Sequence, residues 1–471
     1  MIPLKASEIA QIVGGELIGS DVVITAAPVF DSNSASAGSI FLALKGEKSD
    51  GHQFTSAAFA QGAVLAIVTS ATSERCIVVP DVIVALNKLA SFVREQLKDL
   101  QVIALTGSQG KTTTKDLLHH ILESVGNTVA PQGNFNNELG TPITLLQCDE
   151  KTSFCILEMG ARHMGDIALL CQMAKPNIGM VLRVGTAHIG EFGSAEAVAK
   201  TKSEMISSLA PDAIAILGQY DEFTPAMKSL HDGQIINFGE TTTADIRATD
   251  IEIREGRPHF DLVTPSGRAS VGLRIVGVHQ VANALAAAAA ASALGVSIDQ
   301  IAVALSTAEL QSKWRMEIQE FRSIILINDA YNSSPESVAA ALRTLALFAQ
   351  ERGGQSWAFL GKMHELGESS IASHADIGTL ASQLGIDHLV CIAANEYSSN
   401  LTSHSPTVVH VFENKEEAVT LVNEMSPGDV ILVKASRAEK FEELAQEIEE
   451  RIKTLFSEDA ENLEDGGVEE K

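Results

Sequence analysis

Apolar and polar positions along the chain follow different periods in three successive stretches. In residues 1–100, short apolar runs predict strands at Ile40–Leu44, Leu65–Val68 and Ile77–Val79, and helical spacing predicts a helix over Asp81–Leu100. Short strands mixed with helices predict a small mixed α/β domain over residues 1–100.

Residues 101–312 alternate more regularly between apolar runs and helical spacing. The predicted strands, with helices between them, are Val102–Thr106, Phe154–Leu157, Ile178–Val184 and Ala213–Leu217. This alternation predicts a mostly parallel sheet with helices on both faces. Period-two alternation over residues 245–276 predicts an antiparallel patch, and an Ala-rich helix follows from Val281.

Residues 313–456 show a third strand–helix alternation, which predicts a further α/β domain. Its predicted strands are Ile324–Ile327, Trp357–Leu360, His388–Ile392, Val408–Val411 and Val430–Val433. Residues 457–471 are acidic and contain glycine, so we expect a solvated acidic tail there. The predicted fold class is α/β, with three domains and a tail.

The composition excludes several classes of function. The chain has 471 residues, of which 45% are hydrophobic and 20% are charged, the balance of an ordinary globular protein. Its net charge of −26 argues against nucleic-acid binding, because neutralising phosphates over a broad surface needs clustered lysine and arginine. Any phosphate ligand must therefore sit in a small local pocket.

Cysteine usage and the longest apolar runs predict the compartment. The five cysteines include no CxxC pair, which argues against a disulfide framework and for a reducing compartment. The sequence shows no apolar signal core and no run long enough for a membrane span. We therefore expect a cytoplasmic protein without a membrane span.

One loop carries the strongest chemical signal. After the strand that ends at Thr106 come Gly107, Ser108, Gln109, Gly110, Lys111, Thr112 and Thr113. A glycine-rich loop that opens a helix can present backbone N–H groups to phosphate, with Lys111 bridging the β- and γ-phosphates and Thr112 reaching a metal ion. Leu105 stands where the common P-loop has its first glycine, so this loop is a shorter variant. A surface turn with an incidental lysine is the alternative, and the flanking strand and helix favour the phosphate site.

Two residues that follow predicted strands indicate a metal site. Glu158 ends the strand Phe154–Leu157, and His188 follows the strand that ends near Val184. Ligands of open α/β sheets collect at the carboxyl edge, where a carboxylate and an imidazole could bind a metal beside a triphosphate. A solvated carboxylate and a structural histidine are the alternatives.

Lys202 lies on the inner face of the helix predicted over Ser194–Leu209. It is four residues after Val198 and three before Met205, two members of the apolar stripe, whereas Lys200 points away. A lysine on an inner face is costly unless it is paired or chemically altered. Snorkelling of the amine to water is the simpler alternative, and spacing alone favours it.

Seven segments, in order along nearly the whole chain, resemble the Mur ligases. They are TGSQGKTTT at 106–114, GNFNNELGTP at 133–142, LEMGARHMGDI at 157–167, AHIGEFGS at 187–194 with VAKTKSE at 198–204, NDAYNSSPES at 328–337, HELGE at 364–368 and VKASR at 433–437. Within that family, the best match is to the members that add D-alanyl-D-alanine.

The resemblance implies an N-terminal domain that grips a UDP-sugar, a central P-loop ATPase domain and a Rossmann-like C-terminal domain that closes over the site. It implies an ATP-dependent amide ligase that joins D-Ala-D-Ala to UDP-N-acetylmuramoyl-tripeptide through an acyl phosphate, in peptidoglycan precursor synthesis. ATP and two Mg²⁺ ions are the implied cofactors, and we expect a monomer.

The resemblance also implies roles for matching residues. The implied catalytic residues are Lys111, His188, Lys202 and Arg315, and the implied metal ligands are Thr112, Glu158, His188 and Lys202. Lys202 matches the lysine that the family carbamylates. Beyond the loop at 107–113, the implied nucleotide contacts are Asn283 at adenine, Arg315 at the γ-phosphate and Asp329 at ribose, with Tyr331 and Asn332 in the same motif.

Five positions depart from the family pattern, namely Asn33, Arg183, Gln280, Lys362 and Ala435. The last two could alter domain closure or the dipeptide pocket, and we expect none of the five to touch the ATP site. The alternative functions are a sister Mur ligase that adds the third stem residue, a folylpolyglutamate-type ligase, and a non-catalytic nucleotide-binding partner. The sister enzyme usually carries an Asp-Asn-Pro-Arg string, which this sequence lacks.

Overall fold

The computed structural model describes residues 1–46, 49–131, 133, 135–185, 189–309, 312–402 and 404–464, which build three main sheets in chain order. The first part contains β1 (Leu4–Lys5), α1 (Ala6–Val13), β2 (Glu16–Ile18), β3 (Val23–Ile24), β4 (Ile40–Leu42), α2 (Thr55–Ala60), β5 (Leu65–Val68), β6 (Cys76–Val78) and α3 (Val82–Gln96). Its sheet has the order β2-β6-β5-β4, in which only β2 is antiparallel to its neighbour. Strands β1 and β3 form a separate antiparallel pair.

The central part contains a nine-stranded sheet with the order β15-β14-β13-β12-β11-β10-β7-β9-β8. Its elements are β7 (Gln101–Thr106), α4 (Lys111–Glu123), β8 (Thr128–Val129), α5 (Gly140–Leu145), β9 (Phe154–Glu158), α6 (Asp166–Ala174), β10 (Ile178–Val181), α7 (Ile189–Phe192), α8 (Ala195–Ser207), β11 (Ile214–Gly218), β12 (Gln234–Gly239), β13 (Ile246–Arg254), β14 (Arg257–Thr264), β15 (Gly267–Gly272), α9 (Gln280–Ala293) and α10 (Ile298–Thr307). Strands β7 to β13 pair in parallel, and β13, β14 and β15 are antiparallel.

Strand β7 shows why the central strands are apolar throughout. Val102 and Ala104 pack on one face of the sheet in the same core as residues of α3, α6 and α8, whereas Ile103 and Leu105 pack on the other face with α4 and α9. Successive side chains of a strand point to opposite faces, so a strand with helices on both sides must be apolar at every position. The buried alanines of α9 let that helix approach α4 closely.

The last part contains a six-stranded sheet with the order β16-β17-β21-β18-β19-β20, in which only β16 is antiparallel to its neighbour. Its elements are β16 (Glu317–Phe321), β17 (Ile324–Asn328), α11 (Pro335–Arg352), β18 (Ser356–Leu360), α12 (Ser370–Gln383), β19 (His388–Ile392), β20 (Val408–Phe412), α13 (Lys415–Ala418), β21 (Val430–Lys434) and α14 (Phe441–Glu464). Helices α11 and α12 cover one face and α14 the other.

Several elements differ from the sequence prediction. Strand β10 ends at Val181, before the predicted Val184, because the following residues turn to meet the glycine-rich loop, where the Ser108 amide donates to the carbonyl of Arg183 at 2.9 Å. The predicted antiparallel patch is present as β13–β15 and continues the central sheet through β12. The edge strand β16 was not predicted, since Glu317 and Glu320 interrupt the apolar pattern.

The last helix extends past the predicted start of the acidic tail. Helix α14 continues to Glu464 instead of ending before residue 457. Residues 457–464 contain glutamate, alanine and leucine, which are strong helix formers, and the first glycine comes only at 466. The predicted domain boundaries themselves stay predictions.

Two further observations concern the helices and the cysteines. No helix within the described ranges is long and apolar enough to cross a membrane. All five cysteines are free thiols and all are buried.

A pair of histidines lies on the last sheet. The ring of His388 stacks on Trp357 with a centroid distance of 3.6 Å, and its Nδ1 lies 3.1 Å from Nε2 of His410. Burial lowers the pKa of both imidazoles below the ordinary value of 6.5. The hydrogen bond between them requires one nitrogen without a proton, so double protonation breaks the contact.

Acidification should therefore weaken this sheet. Because the pKa of each histidine is lower in the folded state, the stabilisation is complete above pH 6.5 and is lost as pH falls below that value. Differential scanning calorimetry between pH 7 and pH 5 should show a smaller fall in Tm for His410→Gln than for the unchanged protein. Equal falls would contradict this role of the pair.

Candidate active site

The glycine-rich loop lies between β7 and α4, at the carboxyl edge of the central sheet. Gly110 is the N-cap of α4 with a φ of 82°, and Lys111 is the first helical residue. The Lys111 side chain folds back over the loop, where its Nζ donates to the Gly107 carbonyl at 2.8 Å. Removal from solvent lowers the pKa of Lys111, an effect that the carboxylate of Glu158 opposes. A helix N-terminus with an adjacent cation is suited to phosphate.

Gly110 also permits a close contact between the loop and α9. A Cβ atom at this position would lie 2.2 Å from Oδ1 of Asn283. Asn283 in turn donates through Nδ2 to Oε1 of Gln280 at 2.7 Å. The loop and the start of α9 therefore form one continuous wall of the site.

Glu158 ends β9 beside the loop and is only 2% exposed. Its Oε2 accepts a hydrogen bond from Thr112 Oγ1 at 3.0 Å, and its Oε1 accepts one from Asn136 Nδ2 at 3.0 Å. A buried carboxylate next to a hydroxyl supplies the oxygen ligands that Mg²⁺ prefers. Among the described residues, no group of three or more His, Cys, Asp or Glu could hold a metal by itself, so a metal here needs ligands from phosphate or from other residues.

Lys202 lies on α8 and is 6% exposed, next to the buried Val198 and Met205, whereas Lys200 is exposed. The inward position predicted by spacing is therefore present. Burial, together with the charge of Lys111, lowers the pKa of Lys202 to about 7. A substantial fraction of this amine is thus neutral near neutral pH.

The C-terminal part supplies a second wall. Arg315 donates through Nη2 to Thr112 Oγ1 at 2.9 Å, and its guanidinium lies 3.8 Å from the ring centroid of Tyr331. Asp329 forms an ion pair with Lys434 at 2.6 Å, and the same ammonium donates to the Asn332 carbonyl at 2.8 Å. Cations from two parts of the chain therefore face the same loop.

Two further contacts join the central and C-terminal parts around the cleft. Gln109 Nε2 donates to Ser334 Oγ at 3.2 Å and to Glu336 Oε2 at 3.1 Å. The Gly190 amide donates to the Glu365 carbonyl at 3.0 Å, and a Cβ at Gly190 would lie 2.6 Å from the amide nitrogen of Gly367. Only glycine fits at that approach.

These walls enclose a cleft of about 990 Å³. Among the residues predicted from the sequence, those that line it are Ser108, Gln109, Gly110, Lys111, Thr112, Thr113, Glu158, Lys202, Asn283, Arg315, Asp329, Tyr331 and Asn332. Gly107 lies at the base of the loop beneath the Lys111 amine. His188 lies outside the described residues.

The sequence analysis missed several residues of the cleft. Asn136 orients the Glu158 carboxylate, Lys434 pairs with Asp329, and Glu336 contacts the loop through Gln109. Asn136, Lys434 and Glu336 lie in the family-like segments at 133–142, 433–437 and 328–337, so the segments were the available signal. Their partners could not be read from the sequence.

Two of the five departing residues lie in the cleft that holds the glycine-rich loop, which counts against the expectation that none touches the ATP site. Arg183 and Gln280 both line the cleft, and Gln280 is the hydrogen-bond partner of Asn283. Arg183 follows β10, whose carboxyl end lies next to that of β7, so its position is set by strand order. Asn33 and Lys362 lie outside the cleft. The Asn33 amide donates a hydrogen bond to the side chain of Asp31, and Lys362 is exposed beside a smaller cavity. Ala435 is fully buried in the core of the last sheet.

A glycine-rich loop at the carboxyl edge of a parallel sheet, with a carboxylate and converging cations, defines an α/β protein that binds nucleotide phosphates. Family models identify it further: "Mur ligase middle domain" matches residues 105–291, "Mur ligase, glutamate ligase domain" matches 314–437 and "Mur ligase family, catalytic domain" matches 29–111. The chain belongs to the Mur ligase family and is therefore an ATP-dependent ligase.

Individual relatives agree with this family over almost their whole length. The UDP-N-acetylmuramoyl-tripeptide–D-alanyl-D-alanine ligase of Mycobacterium tuberculosis is 38% identical over an alignment of 489 residues, covering 93% of this chain and 96% of that protein. The crystal structure of MurF from Acinetobacter baumannii has a TM-score of 0.86 and 35% identity, covering 95% of this chain and 99% of that one. MurF from Thermotoga maritima, solved in complex with ADP, has a TM-score of 0.79 and 28% identity, covering 91% and 98%. The predicted α/β fold with three domains is confirmed.

The contact between Gly110 and Asn283 generates a prediction about nucleotide binding. In Gly110→Ala, the added methyl group should push the loop away from α9 and strain the left-handed backbone, weakening ADP binding by about tenfold or more. Isothermal titration calorimetry with ADP measures the effect.

Gly165→Ala is the matched control. Gly165 is also the N-cap of a helix, α6, with a φ of 97°, but a Cβ there would have no neighbour within 4 Å. This variant carries the same backbone strain without the collision and should bind ADP normally. Equal weakening in the two variants would show that the contact with Asn283 is unimportant.

Proposed function

We propose that this chain joins D-Ala-D-Ala to UDP-N-acetylmuramoyl-tripeptide, driven by ATP, in peptidoglycan precursor synthesis. The observation that carries the proposal is the full-length similarity, at 38% identity, to an enzyme named for that reaction. The cations and the carboxylate of the cleft support it, because they are the groups that phosphoryl transfer needs.

The proposed reaction has two steps. The terminal carboxylate of the tripeptide attacks the γ-phosphorus of ATP, so that an acyl phosphate forms and ADP leaves. The free amine of D-Ala-D-Ala then attacks the acyl carbon, the amide bond forms, and phosphate and a proton are released. Direct condensation of an ammonium and a carboxylate is unfavourable in water, and the acyl phosphate supplies the driving force.

The residues around the loop have complementary roles in the first step. Lys111 lies over the glycine-rich loop and Arg315 contacts Thr112, so both cations can share the negative charge that develops on the transferred phosphoryl group. We place adenine near Asn283 and ribose near Asp329, with Tyr331 and Asn332 beside them. The close contacts at Gln109 and Gly190 keep the C-terminal part over the cleft, which excludes the water that would hydrolyse the acyl phosphate.

The donor set fits Mg²⁺. The Thr112 hydroxyl and the Glu158 carboxylate are hard oxygen ligands 3.0 Å apart, and we propose that they hold one ion while His188 and a modified Lys202 hold a second. When bound, the metal neutralises charge on the phosphate oxygens. Asn136 keeps the second oxygen of Glu158 in place by donating to it.

The modification that we propose at Lys202 is a carbamate. A neutral amine adds to CO₂ with loss of a proton, and a pKa of about 7 makes the neutral form available. The product is an anion, so a buried cation that would repel a metal becomes a ligand for it. This explains the inward lysine better than snorkelling, because the side chain is 6% exposed.

The proposal includes a cytoplasmic monomer. The five buried free thiols fit a reducing compartment.

The acceptor is tested by ADP release. With UDP-N-acetylmuramoyl-tripeptide and ATP, release should depend on D-Ala-D-Ala and should be slower with single D-amino acids, L-Lys, meso-diaminopimelate or Glu. Lys111→Ala should lower the rate by more than about two orders of magnitude, because a positioned charge is removed from phosphoryl transfer.

Other outcomes of this screen identify the alternatives. Faster turnover of the dipeptide-bearing precursor with meso-diaminopimelate or L-Lys would make the chain the sister ligase. Turnover of a folate substrate with Glu would indicate the folylpolyglutamate type. ATP binding without release of ADP in any mixture would favour a non-catalytic partner.

The carbamate generates a second prediction. Lys202→Ala should be nearly inactive and should regain part of its activity with acetate or formate, which can occupy the vacated anion site. Labelled bicarbonate should give a carbamate NMR signal in the unchanged protein that is missing in this variant.

Two variants control this experiment. Lys200→Ala, on the exposed face of the same helix, should keep its activity and the NMR signal. Lys111→Ala should be inactive and should not respond to acetate. Full activity of Lys202→Ala, or an unmodified amine at position 202 in the active enzyme, is incompatible with the carbamate.

A further inference from the structure

One face of α4 contacts the segment 312–316, which we call the Arg315 linker. Thr112 Oγ1 accepts a hydrogen bond from Arg315 Nη2 at 2.9 Å. One turn further along the helix, Asp116 Oδ2 accepts a hydrogen bond from the Ser312 amide at 3.2 Å. Residues four apart in a helix lie on the same face. The two contacts therefore fix both the position and the direction of the linker across the helix.

The backbone of this linker is strained on both sides of Arg315. Trp314 has a φ of 59° and Met316 a φ of 51°, a left-handed conformation that is unfavourable for a residue with a Cβ atom. Such a conformation persists only where surrounding contacts hold it. Here the Trp314 carbonyl accepts a hydrogen bond from the Tyr331 amide at 3.1 Å, and the Met316 amide donates a hydrogen bond to Asp329 Oδ1 at 3.1 Å.

Those two contacts hold the far end of the linker, and Asp116 holds the near end. The side chain of Asp116 is 3% exposed, and its Oδ1 pairs with Lys115 Nζ at 2.6 Å. Lys115 is itself buried and donates to the Pro131 carbonyl at 3.2 Å. The carboxylate is therefore immobilised through one oxygen and presents the other to Ser312.

A cavity of about 620 Å³ lies beside the near end of the linker, and its walls include Lys115, Asp116, Ser312 and Trp314. Trp314 packs against the core of the last sheet and Met316 is buried, so apolar contacts hold the linker beyond Ser312. Ser312 itself is half-buried, and its amide donates a hydrogen bond to Asp116. This hydrogen bond therefore restrains the near end of the linker.

We propose that Asp116 is a positioning residue for phosphoryl transfer: by holding the Ser312 amide, it sets the place at which Arg315 meets Thr112 and the γ-phosphate. The inference rests on the proposed function, since it assumes that Arg315 acts on the transferred phosphoryl group. Asp116 borders the cavity beside the linker, not the 990 Å³ cleft where the nucleotide is placed. Its loss should lower kcat and leave ATP binding nearly unchanged.

A matched pair of double variants separates this role from simple neutralisation of Lys115. Lys115→Met/Asp116→Asn and Lys115→Met/Asp116→Leu both remove the buried ion pair, so neither leaves an unpaired buried charge. Only the asparagine keeps an oxygen that can accept from Ser312. We expect kcat to fall by about 100-fold in the leucine variant and by less than about fivefold in the asparagine variant, because a displacement of about 1 Å has an effect of this size.

Two further measurements show whether the effect runs through the linker and Arg315. In the nucleotide-free enzyme, hydrogen exchange at the Ser312 amide should be about tenfold or more faster in the leucine variant than in the asparagine variant, because its acceptor is gone. In an Arg315→Ala background, the same leucine change should cause no further loss of kcat, since the group that it positions is absent. The KM for ATP should stay within about threefold in both double variants.

Asp429→Asn is the control for the loss of a buried carboxylate that accepts hydrogen bonds from backbone amides. Asp429 is 3% exposed and bonds the amides of Gln355 and Ser426 in the C-terminal part. Its replacement should lower Tm without changing kcat. If either double variant fails to fold, Ser312→Pro removes the same donor from the partly exposed linker and should give the same loss of kcat.

The outcomes distinguish this inference from the proposed function. The role of Asp116 would be overturned by an equal kcat in the asparagine and leucine variants, or by equal hydrogen exchange at the Ser312 amide in the two variants. A loss of kcat that adds to the loss in Arg315→Ala would overturn it as well. An unchanged kcat in Ser312→Pro would also overturn the role of Asp116. A wild-type enzyme that releases no ADP with D-Ala-D-Ala would instead overturn the proposed function.

Discussion

The hydroxyl of Thr112 is the contact on which the site depends. It donates to Glu158 at 3.0 Å and accepts from Arg315 at 2.9 Å, so one oxygen joins the P-loop helix, the neighbouring strand of the central sheet and the C-terminal part. Both partners are charged, which makes these hydrogen bonds stronger than bonds between neutral groups. The relative position of carboxylate and guanidinium is therefore set before any ligand binds. A phosphate bound at the helix N-terminus meets a site whose charges are already placed.

The electrostatics of the cleft contrast with those of the whole chain. The protein has a net charge of −26, yet Lys111, Lys202 and Arg315 converge on one loop. Glu158 offsets only part of this charge. Burial lowers the pKa of both lysines, and repulsion by Arg315 at Lys111 and by Lys111 at Lys202 lowers it further. A polyanion would relieve this repulsion, which favours triphosphate over less charged ligands. A chain this acidic also repels nucleic acid elsewhere on its surface, so phosphate recognition stays local.

The C-terminal part is held over this loop by short-range polar contacts and backbone proximity. The Gly190 amide meets the Glu365 carbonyl at 3.0 Å, Gln109 reaches Ser334, and the linker with Trp314 and Met316 in left-handed conformations joins the two parts. Such contacts are lost when the parts separate, because each depends on a precise distance and not on broad apolar burial. This is the behaviour expected of an enzyme that must admit large substrates and then exclude water.

The hydrophobic pattern by itself determined the α/β class and most strands of the three sheets, and it placed the glycine-rich loop between a strand and a helix. It could do so because strands buried on both faces and helices buried on one face have characteristic hydrophobic periods. The same helical period placed Lys202 on the inner face of its helix. The pattern missed β12 inside the central sheet as well as several short or edge strands. It did not predict that α14 continues past residue 457, because helix propensity beyond the core decided it, nor that Arg183 and Gln280 line the cleft. Only the tertiary structure brought Arg315 to Thr112 across 203 positions, Lys434 to Asp329 across 105, and Ser312 to Asp116 across 196. A hydrogen bond between such distant residues leaves no periodic pattern in the sequence of either segment. Any acceptor that the fold placed beside the donor would satisfy it equally, so the partner could not be read from the sequence.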